Sequence, residues 1–155
     1  MGGITFRRAK LADAEILSRL LYELYQSQTI DAAYEETLAE TKASICSDTN
    51  IFLLAFDGEM PVGACFSALR QEYVNGREYD GTCGYLEAVY VVPTHRLRGI
   101  AANFVALCED WAREKGCREF LSDCLLHNEE SFKFHLRMGF VETERCIFFR
   151  KELGA

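Results

Sequence analysis

The chain has little of what would place it quickly. No apolar run comes near the ~18 residues needed to cross a bilayer. The opening residues lack the layout of a secretory signal, so a cytoplasmic location is expected. Basic residues are the minority: 17 Lys and Arg against 24 Asp and Glu, a formal charge of −7. A nucleic-acid partner needs a broad basic face, and this balance argues against one. It is compatible with a cationic ligand drawn in by the protein's own field. No Cys-x-x-Cys pair occurs. The seven cysteines (Cys46, Cys65, Cys83, Cys108, Cys117, Cys124 and Cys146) are odd in number and scattered. That pattern speaks for reduced, buried small hydrophobes and against a metal cluster or disulfide framework. Proline occurs twice, at Pro61, where a strand begins, and at Pro93, where another ends.

What remains suffices for one domain over residues 1–155, with 49 % apolar residues to build a core. Ile4–Arg8 reads as an opening strand. Asp13 is placed to cap a helix in which Ile16, Leu17, Leu20, Leu21 and Leu24 recur at helical spacing. Residues 32–45 form a second helix, acidic on its outer face. "NIFLLAFDGEMPVGACFSA" is a hairpin around Asp57-Gly58. "VNGREYDGT" holds two turn signals and is either a second hairpin or an excursion. "CGYLEAVYVV" is the most strand-like run. Residues 99–115 are an amphipathic helix closed by Gly116, "CREFLSDCLL" a strand, residues 128–138 a helix, and "FVETERCIFFRKEL" a terminal strand. The order β-α-α-β-β-β-α-β-α-β predicts an α/β domain, a mixed sheet with helices on both faces.

Within this acidic chain, "HRLRGIAA" is a small basic turn that opens into a helix. The first N–H groups of a helix lack internal partners, and the macrodipole adds partial positive charge there. Gly99 lets the backbone approach an anion closely, Ala101 keeps the next turn slim, and Arg96 and Arg98 offer charge-assisted hydrogen bonds. Neither a Walker run nor a G-x-G-x-x-G run is present. By charge and glycine alone the turn is an anion site or a solvated surface loop.

The neighbouring residues resemble a known family. "VYVVPTHRLRGIAANFVALCEDWAREKGC" is similar to the acetyl-CoA-binding motif of the GNAT superfamily of N-acetyltransferases, whose Arg/Gln-x-x-Gly-x-Gly/Ala signature is matched by Arg96, Gly99 and Ala101. "NEESFKFHLRMGF" resembles the superfamily's distal Asn…Gly-Phe block. More narrowly, "EYVNG", "GYLEAVYVVPTHRLRGIA", "WAREKGCREFLSD" and "HLRMGFVETERCIFFRKEL" resemble the short aminoglycoside 6′-N-acetyltransferases. Ala88 stands where that family usually has Gly, His127 replaces an acidic residue, and Tyr22 lies where relatives often carry Trp. The resemblance implies the GNAT fold, a mostly antiparallel twisted sheet with splayed central strands. It implies acetyl-CoA as cosubstrate and no metal. The diphosphate would sit on Arg96, Leu97, Arg98, Gly99, Ile100 and Ala101, and pantetheine beside Ala88, Val89 and Val91. Asn128 would bond the pantetheine, its alternative being a helix cap. A homodimer is also implied, with "CIFFRKEL" packing across a two-fold axis or finishing one core.

The acidic residues make chemical sense for a polycationic, hydroxyl-rich substrate. Glu87, in an apolar strand, faces a solvated cleft or is buried at a cost. Asp123 shares that logic, with loop anchoring as its alternative. Glu144 reads as substrate-binding or merely solvated. Tyr22 and Tyr73 read as substrate walls or core. N-acetylation needs a neutral amine, and an alkyl ammonium gives up its proton at pH 7 at a cost of roughly 4–5 kcal/mol. Glu87 is therefore the candidate base, directly or through water, and Asp123 the group orienting the ammonium. Backbone N–H groups near Val89 would polarise the thioester. His135 is either the acid for the departing thiolate or a packed histidine. No Cys-His pairing supports a covalent route through Cys124. The alternatives are the same fold acting on another amine (a polyamine, a small metabolite or a protein N-terminus) and a non-catalytic acyl-CoA sensor.

Overall fold

The computed structural model describes residues 3–154. Strand β1 (Ile4–Arg8) leads through a short 3-10 turn into α1 (Ala14–Ser27) and α2 (Tyr34–Ser44). The hairpin β2 (Asn50–Asp57) and β3 (Met60–Arg70) comes next, then β4 (Cys83–Val91), α3 (Ile100–Glu114), β5 (Phe120–Leu121) and α4 (Glu129–Arg137). The strands lie in sequence order in one sheet; the first three pairings are antiparallel, and β4 to β5 is parallel.

Period-two alternation explains the two cores. On β2, Ile51, Leu53 and Ala55 face α3, where they meet Phe104, Val105, Cys108 and Trp111. Phe52 and Leu54 point the other way, onto Leu17, Leu20 and Leu21 of α1. A sheet apolar on both faces must be covered on both, and this one is. Thus the helices predicted from apolar spacing form as expected. Asp13 does not cap α1. Its carboxylate instead accepts from Arg7 (both contacts 2.8 Å) and from the Lys10 amide (2.8 Å), tying β1 to the helix entrance.

Two features of β4 shape the cleft beside it. The register with β3 runs Phe66↔Ala88 and then Ser67↔Leu86, so Glu87 is the extra residue of a β-bulge. A bulge turns successive side chains off strict alternation. Leu86 accordingly joins the α3 core while Ala88 joins the α1 core. Second, β5 pairs with β4 only at Gly84↔Phe120 and Tyr85↔Leu121. Beyond Tyr85 the two strands part and leave a cleft along the second half of β4, the predicted splay.

The predicted terminal strand does not form within the chain. Residues 141–154 carry no regular structure and are exposed throughout, with Ile147, Phe148 and Phe149 at 81–93 %. A strand needs a partner edge, and among the described residues this segment pairs with none. "VNGREYDGT" forms an excursion rather than a hairpin.

Candidate active site

The cleft between β4 and β5 has a basic turn at one end and an acidic cluster at the other. At the turn, Leu97 (φ 63°) and Gly99 (φ 80°) both take left-handed backbone, and α3 starts directly afterwards. Glycine adopts this conformation freely; leucine does so only under constraint. Among the described residues, none accepts a hydrogen bond from the amides of Leu97, Arg98 or Gly99. A Cβ placed on Gly99 would meet nothing nearer than Asn103 Nδ2 at 4.0 Å, so the space beside Gly99 is open. Arg98 is exposed. Arg96 folds back, donating from Nε to the Val91 carbonyl (2.9 Å) with its guanidinium 5.6 Å from the Tyr90 ring centre.

At the acidic end, Glu87 projects from the bulge half-buried. Arg70, the last residue of β3, grips it with two contacts of 2.6 Å and reaches Glu72 at 2.9 Å. The same guanidinium stacks 3.9 Å over the Tyr85 ring, whose hydroxyl donates to Asp123. Glu72, Glu87 and Asp123 thus form one network around a single guanidinium. Burial pushes the Glu87 carboxyl above the ordinary range; Arg70 opposes this, and the charges of Asp123 and Glu72 add to it. Burial and the Asp123 carboxylate push the Tyr85 hydroxyl far up, so it stays a donor. Burial pushes the hydroxyl of Tyr25 on α1 upward, and the charges of Glu40 and Glu87 add to the rise.

The sequence-predicted residues are thus partly gathered. Glu87 and Asp123 meet through Arg70 and Tyr85. Ala88, Val89 and Val91 lie on the half of β4 that pairs with β3 but not with β5, and Arg96 to Ala101 form the turn. Tyr73 is 82 % exposed beside Glu72, its hydroxyl on Asn75 (3.1 Å). Tyr22 packs edge-on against Tyr34 of α2. Asn128 caps α4, accepting from the Ser131 amide (3.1 Å), which is its alternative reading. His135 bridges α4 to the end of β5, with Nε2 2.7 Å from Ser122 Oγ and Nδ1 2.6 Å from the Ser131 carbonyl. Both ring nitrogens have hydrogen-bond partners within the chain. Glu144 is exposed on the terminal arm. Sequence reasoning missed Arg70, Glu72 and Tyr85 as a unit, and Arg77, which organises residues 71–82. Arg77 donates to the Glu72 and Gly81 carbonyls and to Glu119 (2.8 Å). Nothing in periodicity marks an arginine at a strand end as a partner for a glutamate 17 positions on.

Comparison with known proteins decides the family. Residues 18–140 match the Acetyltransferase (GNAT) family. The chain belongs to the GNAT acetyltransferase family. Among its GNAT relatives, an aminoglycoside N(6′)-acetyltransferase type 1 of Acinetobacter genomosp. 13 is 37 % identical over 121 residues, 77 % of this chain and 82 % of that one. The crystal structure of the aminoglycoside antibiotic 6′-N-acetyltransferase of Acinetobacter haemolyticus superposes with a TM-score of 0.87 at 30 % identity, covering 97 % of this chain and 99 % of that one. AAC(6′)-Iy bound to the bisubstrate analogue CoA-S-monomethyl-acetylneamine gives the same score, identity and coverage. The mixed α/β fold, a five-stranded sheet with four α-helices, therefore matches that of its GNAT neighbours. Among the described residues no cluster of metal-ligating side chains occurs, and no helix is long and apolar enough to cross a membrane.

Proposed function

We infer that the chain is an acetyl-CoA-dependent N-acetyltransferase that acetylates the 6′-amino group of aminoglycosides, working as one GNAT domain. The observation that carries this reading is the juxtaposition on β4. One strand leads from a half-buried carboxylate cluster, through a cleft with free backbone groups, to a turn of open amides. The residues present fit the coenzyme. Leu97–Ala101 would hold the diphosphate with help from Arg98, and the unpaired edge of β4 near Ala88–Val91 would hold the pantetheine arm. The coenzyme supplies the acetyl thioester.

The chain's own residues do the rest. Glu72, Glu87 and Asp123 attract and orient a polycation. They also raise the pKa of the ammonium they bind, so binding and deprotonation oppose one another. Glu87 resolves this in part: a carboxyl lifted by burial is a better base than a solvated one. An incoming ammonium competes with Arg70 for the same oxygens. Holding amine and thioester together supplies more of the rate than proton transfer does. His135, with both nitrogens engaged, buttresses the β5 end rather than donating a proton.

We also place two copies in a dimer that exchanges terminal arms. The sheet stops at β5 with an open edge, α4 buries no residue fully, and Leu125, Leu126 and Leu136 are 50–78 % exposed. The arm carries Val141, Ile147, Phe148, Phe149 and Leu153, all exposed. An uncovered edge and an apolar strand on one molecule satisfy each other across a two-fold axis. Glu144 rides on this arm and would serve the substrate site of the opposing copy. All seven thiols are unpaired, which fits a reducing, cytoplasmic setting.

The test is CoA release from acetyl-CoA with kanamycin, tobramycin and spermine as acceptors. Turnover with the aminoglycosides supports the reading. Turnover with spermine alone overturns the substrate class, and CoA binding without turnover on any amine makes the protein a sensor.

A further inference from the structure

The turn of open amides has an anchor that the proposed reaction does not use. His95 is 6 % exposed, although Thr94 and Arg96 on either side of it are exposed. Its Nε2 lies 2.8 Å from Asp57 Oδ2 and its Nδ1 2.8 Å from Thr94 Oγ1. A carboxylate only accepts, so Nε2 carries the proton that reaches Asp57. Asp57 is the last residue of β2, at the tip of the hairpin to β3 and 38 positions earlier in the chain.

The turn needs such an anchor. Leu97 holds a left-handed backbone that is unfavourable for a non-glycine residue, and its side chain, fully exposed, packs on nothing. That conformation persists only where the flanks impose it. The C-terminal flank is secured by Ile100, buried in the α3 core. Before Leu97 the fixed points are a short 3-10 turn, with the His95 amide donating to the Val92 carbonyl (2.9 Å), the Arg96 bond to Val91 and the His95–Asp57 pair. The Arg96 bond closes a local loop of five residues; the His95–Asp57 pair ties the turn to the rigid hairpin.

We propose that Asp57 and His95 are positioning residues for the diphosphate turn: together they hold the Leu97–Ala101 amides preorganised, so that acetyl-CoA affinity depends on a carboxylate at the far end of β2. This rests on the reading of that turn as the diphosphate site. Preorganised donors bind an anion without a further ordering cost. Neither residue belongs to the carboxylate network proposed to take the amine, so the effect falls on KM for the coenzyme and not on kcat.

The experiment compares acetyl-CoA with S-acetylpantetheine, a donor that lacks the diphosphate. The wild type is expected to favour acetyl-CoA. In Asp57→Ala and His95→Ala, KM for acetyl-CoA should rise roughly tenfold, the order of one lost charge-assisted hydrogen bond. KM for S-acetylpantetheine and kcat with either donor should hold. The double variant should be no worse than either single one, since the two act as one unit. His95→Gln, whose amide nitrogen can replace Nε2, should recover most of the loss; His95→Asn, which can replace only Nδ1, should not. That Gln/Asn contrast also serves if the alanine variants fail to fold. An unchanged KM for acetyl-CoA, or equal weakening of both donors, overturns the proposal and leaves the diphosphate site standing. A wild type that does not distinguish the donors overturns the diphosphate reading itself.

Discussion

Glu87 owes its chemistry to one irregular hydrogen-bond register. Opposite Phe66 and Ser67 the bulge makes room for an extra residue, and that residue carries the half-buried carboxylate. Glu87→Gln is expected to lower kcat/KM on an aminoglycoside by roughly 10²-fold, the low end for losing a general base, with acetyl-CoA affinity unchanged by calorimetry. As the proposed base, Glu87 works only when ionised. Because its pKa is raised, the acid limb of the kcat/KM profile should stand above that of a solvated carboxylate. Arg70 opposes the rise, so Arg70→Gln should move the limb to still higher pH. Asp13 shifts the other way, its carboxyl held down to about 2, chiefly by the Arg7 hydrogen bonds. A depressed pKa contributes stability above the unfolded value, and that stability is lost as pH falls through the folded one. Asp13→Asn should therefore cost about 1–2 kcal/mol at pH 7, Arg7 being half-exposed. In urea denaturation the gap from wild type should close between pH 4 and pH 2.

At the scale of elements, the cleft exists because β5 is short and close to β4 at one end only. Gly84 permits that approach: a Cβ there would lie 2.7 Å from Phe120 and 2.8 Å from Ala112. Gly84→Val should push β5 and α3 off β4, costing about 1–3 kcal/mol as an overpacked core and lowering the melting temperature along with activity. Alternation and 3.6-residue spacing disclosed nearly every element, because sheet and helices each bury a face and the pattern of burial is written locally. The bulge and the splay left no such mark. Both depend on how β3 and Phe120 meet β4, contacts made between residues distant in the chain. The same holds for Asp13: its residue type announced a cap, but Arg7 on the neighbouring strand competes for its oxygens at 2.8 Å.

For the whole molecule, the uncovered arm is the decisive feature. A chain ending at Phe140 should be monomeric by light scattering, and the full chain dimeric. Phe148→Asp should shift the dimer towards monomer, since a charge in a buried apolar interface is costly. If Glu144 serves the opposing copy's site, a weakened Glu87→Gln chain mixed with a Glu144→Gln chain should gain activity over either variant alone through the hybrid site that retains both carboxylates.

From the residues alone came the elements up to α4, the acidic balance, the basic turn before α3 and the two carboxylates proposed for the site, since composition, period and motif are properties of neighbours in the chain. Left to the tertiary structure were Arg70 as the partner of Glu87, Tyr85 as the link to Asp123, the caps and bridges that occupy Asn128 and His135, and the tie from Asp57 to His95. Each joins groups that the chain separates and folding brings within hydrogen-bond reach, and no local pattern encodes a distance of that kind.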